Sequence, residues 1–463
     1  MCGVFGIRSD ERDVARLTYF GLFALQHRGQ ESAGIAVSED GRLTTVRDMG
    51  LVAQVFDEET LQSLPGDVAI GHTRYSTTGG AFWTNAQPIV QHGRARTVAL
   101  GHNGNLTNTA TLRGELAAQG LRLGSTSDTE AIAALLAHEE LPLLEAVAAT
   151  MRRLEGAYSV VAIADGTLVA FRDAHGIRPL SLGRIGDDWV VASETCALDL
   201  VGARTIRDVR PGEAVAIDAD GLHAVQALPE AAGALCIIEH VYFARPDSTL
   251  AGTEVHGARV RMGERLAAEA PVDADMVMPI PDSGIPAAIG YSKASGIPFN
   301  EGLVRNRYVG RTFIQPDQGL REQGIRLKFN PLAEIAGQRI VVVDDSIIRG
   351  STTRQLVQML FEAGAAEVHV RVSSPPVVSP CFYGIDMADE DELVAAHRTA
   401  DEMREYVGAT SLHYLSLDGM QAATRLPEGA VCRACFTRSY PTAVPALGAR
   451  AKLRFEHAAA DRA

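Results

Sequence analysis

The chain lacks any excess of basic residues: 43 Lys and Arg stand against 57 Asp and Glu, a net charge of −14. Nucleic acids and membrane surfaces are held by clustered cations, so neither is expected as a partner. No run of about 18 uncharged apolar residues occurs, and no membrane-spanning helix is predicted. The first ten residues, MCGVFGIRSD, contain no basic segment leading into a long apolar one. No secretory signal is read there, and a cytoplasmic location is expected. In such a reducing compartment the six cysteines are not expected to form disulfides. Each therefore needs another purpose: nucleophile, metal ligand or buried filler. Internal repeats, long low-complexity tracts and the Gly-x4-Gly-Lys loop of nucleotide triphosphatases are also missing.

What is present divides in two. A length of 463 residues suggests two or three domains. The first 230 residues carry short β-like runs, such as 159–164, 168–171 and 189–192, punctuated by Gly and Asp. Helical patterns at 129–137 and 144–154 lie among them, an α+β reading. An Ala-rich linker is expected at 226–233. Beyond it the rhythm becomes strand, loop, helix: an apolar run at 276–280 and a helix to Gly296, then a run at 339–343, a helix to Gly364 and a strand at 367–372. That alternation predicts a doubly wound parallel sheet, with ligands at the carboxyl ends of its strands. The expected units are 2–230, 231–440 and a peripheral tail at 441–463. Residues 311–330 read either as a surface helix or as a functional loop.

Cys2 follows Met1. Once that methionine is removed, as is expected here, Cys2 carries a thiol and a free amine. The amine, with a reference pKa near ~7.7–8.0, can act as base to its own side chain. Alone, a Met-Cys start means little. Three further polar, Gly-rich clusters supply context: His27–Ser32 (HRGQES), Gly71–Thr77 (GHTRYST) and Gly101–Leu106 (GHNGNL), followed by Ser127–Glu130 (SDTE) opening a helix. By itself Ser127 or Asp128 reads as a helix cap, and His72 and His102 as satisfied buried side chains. Together with CGVFGI at residues 2–7, these five ordered motifs resemble the class II glutamine amidotransferases over residues 2–230. The resemblance implies an αββα sandwich in which Cys2 attacks the glutamine amide. It implies that Asn103 and the Gly104 N–H form the oxyanion hole, and that Arg28, Arg74 and Asp128 bind glutamine, Arg74 at the α-carboxylate and Asp128 at the α-ammonium.

The strongest local signal is the run Val341–Thr353 (VVVDDSIIRGSTT). An apolar strand delivers two adjacent acids, then a loop with Gly and hydroxyls enters a helix. Backbone N–H groups and the helix dipole there suit a phosphate. Asp344 and Asp345 suit ribose hydroxyls or a metal ion. The run resembles the phosphoribosyl pyrophosphate (PRPP) signature of type I phosphoribosyltransferases. The family implies that Ser346, Arg349, Gly350, Ser351, Thr352 and Thr353 hold the 5′-phosphate and its surroundings. Asp344 and Asp345 would meet the ribose and one Mg²⁺ per subunit, with Ser283 at a further Mg²⁺-associated position. The segment 306–314 and Lys328 match a loop that closes over PRPP.

The two resemblances together imply an enzyme that frees ammonia from glutamine and channels it to PRPP, yielding phosphoribosylamine, glutamate and pyrophosphate at the start of purine synthesis. Feedback inhibition by purine nucleotides and a homotetramer are family expectations. The segment Glu239–Ser248 (EHVYFARPDS) matches a motif at the domain junction whose role the residues alone do not give. Cys432 and Cys435 form a lone Cys-x2-Cys, which leaves metal, redox pair and chance open. The settings of Cys236, Cys381, Cys432 and Cys435 resemble the subclass carrying one structural [4Fe–4S] cluster per subunit. Cys196 matches nothing and is read as filler. Two competing readings are an amidotransferase with sugar-isomerase domains, against which the acid pair argues, and a non-catalytic PRPP or nucleotide sensor.

Overall fold

The structure is a computed structural model that describes residues 1–76, 78–306, 325–387 and 390–445. Thr77, Arg307–Ile314 of the expected closing loop and most of the tail lie outside the described residues.

Two antiparallel sheets stack in the first half. One runs in the order 204–208, 181–185, 188–192, 3–8, 68–74, 32–39, 42–49; the other runs 221–226, 213–218, 167–172, 156–164, 97–106, 89–92. Strand alternation sorts the side chains. In Gly3–Arg8, Val4 points into the core between the sheets with Ile70, Val161 and Ile163. Phe5 and Ile7 point the other way, against the helix Val14–Ala24. The outer face of the second sheet is covered by the helices Asp128–His138 and Leu143–Met151. The result is the expected αββα sandwich. The expected linker does not run free. Ala231 and Ala234 donate backbone hydrogen bonds to Ala174 (3.4 Å) and His175 (2.8 Å).

The second half is built on a parallel sheet in the order Met276–Pro279, Arg339–Asp344, Glu367–Val372, Ser411–Tyr414. Met276–Pro279 and Arg339–Asp344 are buried on both faces, which is why they read as continuous apolar runs, whereas Glu367–Val372 alternates polar with apolar residues and the edge strand Ser411–Tyr414 is largely uncovered. Ile340 and Val342 meet the helix Ser351–Glu362 on one side. Val341 and Val343 meet the helices Val255–Glu269 and Ile285–Ser295 on the other. The doubly wound expectation holds, and the 367–372 strand falls where its pattern put it. A short parallel ladder of Leu235–Cys236 with Val431–Cys432 ties the chain leaving the sandwich to the C-terminal segment.

Candidate functional site

Cys2 heads the buried strand Gly3–Arg8 and is itself buried. Its backbone N–H donates to Asn103 Oδ1 at 3.1 Å, and its carbonyl accepts from Arg28 Nε at 2.9 Å. Its thiol lies 3.6 Å from the Tyr75 carbonyl. Burial pushes the thiol up; the neighbouring chain-terminal amine and Arg74 pull it back. That amine belongs to Met1, which is buried with its sulfur against the Arg178 guanidinium. Burial lowers the amine to about 5.

Asn103 contacts the nucleophile's backbone through one end of its amide. Oδ1 is used by Cys2, whereas buried Nδ2 has no hydrogen-bond partner. A buried orphan donor is costly unless a ligand completes it, and an incoming oxyanion would do so. Gly104 sits at φ +152°, and a Cβ there would lie 2.0 Å from the Ala157 carbonyl. Only glycine fits. Arg74 is buried and spends its guanidinium on Glu31 (3.4 Å) and on the carbonyls of Thr78, Gly79 and Gly80. It thereby shapes the loop after the Gly71–Thr77 motif. Asp128 accepts from the Leu106 N–H at 3.0 Å. Burial raises its carboxyl, but His102 and the hydrogen bonds outweigh burial and hold it below its ordinary value.

Arg28 departs from expectation. It is wholly buried, and its donors go to Cys2 O, Glu194 and Glu239, the last at 2.8 and 3.1 Å. Four of its five N–H groups are spent inside the chain and the side chain has no exposed surface, which favours holding Cys2 over meeting a glutamine carboxylate. Glu194 and Glu239, missed from sequence, complete that network. Glu194 also accepts from His27 Nε2, Ser248 Oγ and the Arg245 N–H at 2.7, 2.6 and 2.9 Å. Glu239 opens a short π-helical turn, Glu239–Phe243, so the junction motif packs charge against the nucleophile's support. Arg259, also missed, donates to the carbonyls of His240 (2.9 Å) and Ala244 (2.8 Å) at that turn.

In the parallel sheet, Asp344 ends its strand and Asp345 follows, buried. Burial raises both carboxyls. The neighbouring Asp345 adds to the rise of Asp344; Ser283, Ser346 and Arg259 moderate that of Asp345. Ser283 thus hydrogen-bonds Asp345. The helix Ser351–Glu362 begins at Gly350, φ +71°, with no side chain capping its N–H groups. The helices starting after Ser127, Thr399 and Ser416 all carry such caps. An uncapped helix end beside two acids suits an anion next to a cation, although Thr109–Ala118, Leu143–Met151, Val255–Glu269 and Ile285–Ser295 also start without a side-chain cap. Thr353 is buried, while Ser351 is exposed at the mouth. Arg349 is drawn instead to Glu392 at 2.7 Å on the surface. Lys328 sits with its ammonium 5.2 Å from the centre of the Phe329 ring.

Cys236, Cys381, Cys432 and Cys435 line one cavity with Arg178, Tyr383 and Tyr440. Cys236 and Cys432 are paired in register. Burial pushes Cys432 up to about 12 and raises Cys236 and Cys435; Arg178 draws Cys236 back. Among the described residues no three His, Cys, Asp or Glu groups converge on a point that could hold a single metal ion. The four thiols are soft donors around a shared void. Cys196 stands apart, in the core of the first sheet beside Glu194.

Comparison with known proteins gives a glutamine amidotransferase domain model matching residues 72–200. The amidophosphoribosyltransferase of Mycobacterium bovis is 52 % identical and covers all of this chain and 90 % of its own length. That of Archaeoglobus fulgidus is 48 % identical, over 96 % of this chain and 99 % of its own. Among solved structures, the glutamine PRPP amidotransferase of Bacillus subtilis in complex with ADP and GMP superposes with a TM-score of 0.91 at 43 % identity, covering 98 % of this chain and all of that one.

Proposed function

We infer how this molecule works from one premise: the chain belongs to the amidophosphoribosyltransferase family. It is an enzyme that combines glutamine and PRPP at the first step of purine biosynthesis, and the sensor reading has no support. The assignment of steps to residues is our proposal. It divides the chain into a glutaminase unit at 2–230 and a phosphoribosyltransferase unit at 231–440.

At the first site, Asn103 Oδ1 holds the terminal amine of the mature Cys2, and that amine takes the thiol proton. Cys2 Sγ attacks the side-chain carbonyl carbon of glutamine. Asn103 Nδ2 and the Gly104 N–H receive the oxyanion, a charge present only near the transition state. The C–N bond breaks with the proton returned to nitrogen, and ammonia leaves a glutamyl thioester on Cys2, which water hydrolyses to glutamate. The orphan Nδ2 of Asn103 is the observation that carries this reading. Asp128 receives the α-ammonium and Arg74 the α-carboxylate.

At the second site the uncapped helix end after Gly350 takes the 5′-phosphate. Asp344 and Asp345, with Ser283, orient the ribose and a Mg²⁺ ion, which when bound neutralises charge on the pyrophosphate leaving group. Ammonia displaces that group at the anomeric carbon. Lys328 stands at the substrate and helps keep water out; the matching residues 307–314 lie outside the described residues. The four thiols fit an iron–sulfur cluster, whose contribution is to tie the linker, the 381 loop and the C-terminal segment together. Purine nucleotides fit as inhibitors, since the Bacillus subtilis enzyme binds ADP and GMP. No helix among the described residues is long and apolar enough to cross a membrane. We place the enzyme in the cytoplasm, as a homotetramer.

The test is glutamate release from glutamine with and without PRPP, read alongside pyrophosphate formation. Coupled, PRPP-dependent release is expected. Complete absence of release from anaerobically prepared protein would refute the assignment.

A further inference from the structure

The loop that carries Cys381 also reaches the glutaminase site. Its next three residues make three separate contacts with the sandwich. The Phe382 carbonyl accepts from Asn105 Nδ2 at 3.1 Å, and the Tyr383 carbonyl accepts from Arg178 Nε at 2.7 Å. Gly384 lies directly against Gly104. A Cβ at 384 would come within 3.0 Å of the Gly104 carbonyl carbon and oxygen and 3.2 Å of its Cα. Gly384 also has φ +107°, where a side chain is strained whatever the space. The loop is closed on itself by Cys381 N–H to Met387 O at 3.0 Å and by the Tyr383 N–H to Cys381 Sγ at 3.4 Å.

Gly104 is thus held between two backbones, Ala157 on one side and Gly384 on the other. Glycine is the residue least able to hold its own dihedrals. An oxyanion donor displaced by a fraction of an ångström loses much of its effect. We propose that Phe382–Gly384, supplied by the segment following the parallel sheet's third strand, are positioning residues for the oxyanion hole, so that the glutaminase site is completed only when this loop is docked. The inference rests on the glutaminase reading above. It adds that a residue 280 positions away from Gly104 sets the geometry of the Gly104 peptide.

The experiment uses full-length enzyme with Gly384→Ala. Turnover of glutamine is expected to fall about tenfold or more, the scale of a misplaced preorganised donor, with KM for glutamine within about twofold. Synthesis from ammonia and PRPP should be unchanged. Alkylation of Cys2 by iodoacetamide, a displacement at carbon that forms no oxyanion, should keep its rate. If Gly384→Ala does not fold, Asn105→Ala, which removes the bond to Phe382, decides the matter with the same pattern at smaller amplitude. An unchanged glutamine turnover, a parallel loss of ammonia-dependent synthesis, a rise in KM alone, or a matching loss of alkylation would each overturn the proposal. Failure of the underlying glutaminase reading would show in the unmutated enzyme, which would release no glutamate.

Discussion

The two candidate sites handle charge in opposite ways. Around Cys2, every buried charge has a partner within the chain: Arg28 and Arg178 face Glu239, and Arg28 and His27 face Glu194, most of them with no exposed side-chain surface. Around Asp344 and Asp345 the chain supplies two acids with little compensation and a helix end with no cap. A site whose buried charges are paired within the chain holds one geometry for a substrate that brings no net charge. A site left electrically unfinished is built for a ligand that brings its own charges, here a polyanion with a cation. The contrast locates preorganisation in the first site and ligand-driven assembly in the second.

The contrast is sharpest under mutation of the reacting groups. Cys2→Ala should take glutamine-dependent synthesis to background and leave ammonia-dependent synthesis intact, because the thiol serves only the first site. Asp344→Asn combined with Asp345→Asn should lower both activities by about 10²–10³-fold, the usual loss on removing a charge that acts on the transition state. Ammonia-driven rates untouched by that pair would remove the acids from the PRPP site. Both measurements need only two assays on each variant.

How far the sequence alone reached also follows this divide. The unfinished site was the more legible. Adjacent acids behind an apolar strand make no sense without a ligand, so Asp344, Asp345 and Gly350 announced themselves through local pattern. The strands Met276–Pro279 and Arg339–Asp344 were legible as apolar runs buried on both faces. The nucleophile's surroundings were legible only as motifs. Arg28 stood in a motif and was read as a substrate ligand; its true neighbours, Glu194 and Glu239, lie 166 and 211 positions away. No periodicity reports such pairing. Glu239 did carry a signal, a lone acid inside the apolar run after Cys236, but what would neutralise it was invisible. Gly384 gave none, since the need for glycine arises from a backbone across the interface.

Stability should separate the regions next. Arg28→Met leaves Glu194 and Glu239 buried without their shared cation, and removing one partner of a buried network costs about 3–5 kcal/mol. Urea titration should show that loss together with weakened glutamine turnover. Retention of full stability would mean that the network is open to water and that the first site is not self-sufficient.

The smallest effect is the most diagnostic, because the two regions should respond to pH with opposite signs. Burial opposes ionisation of Glu194, but His27, Arg28 and Ser248 hold its carboxyl far below the usual glutamate range. Its contribution is present above the unfolded value near ~4.3 and is lost as pH falls. Burial and the adjacent Asp345 raise Asp344 well above its ordinary value. The folded chain therefore binds that proton more tightly than the unfolded one. The stability this gives is full below the unfolded value near ~3.9 and is lost as pH rises through the folded value. In magnesium-free buffer, Asp344→Asn should thus gain on the unmutated enzyme as pH rises above the unfolded carboxyl value. Addition of Mg²⁺ and PRPP should reverse the difference, since ligands that bind only the folded, charged site stabilise it by mass action. A Glu194→Gln variant should show the opposite sign, its deficit growing as pH rises toward the unfolded value near ~4.3 and staying constant above it. If Asp344→Asn showed no gain without ligand, the acid pair would be compensated from within the chain, and the distinction between a finished and an unfinished site would fail.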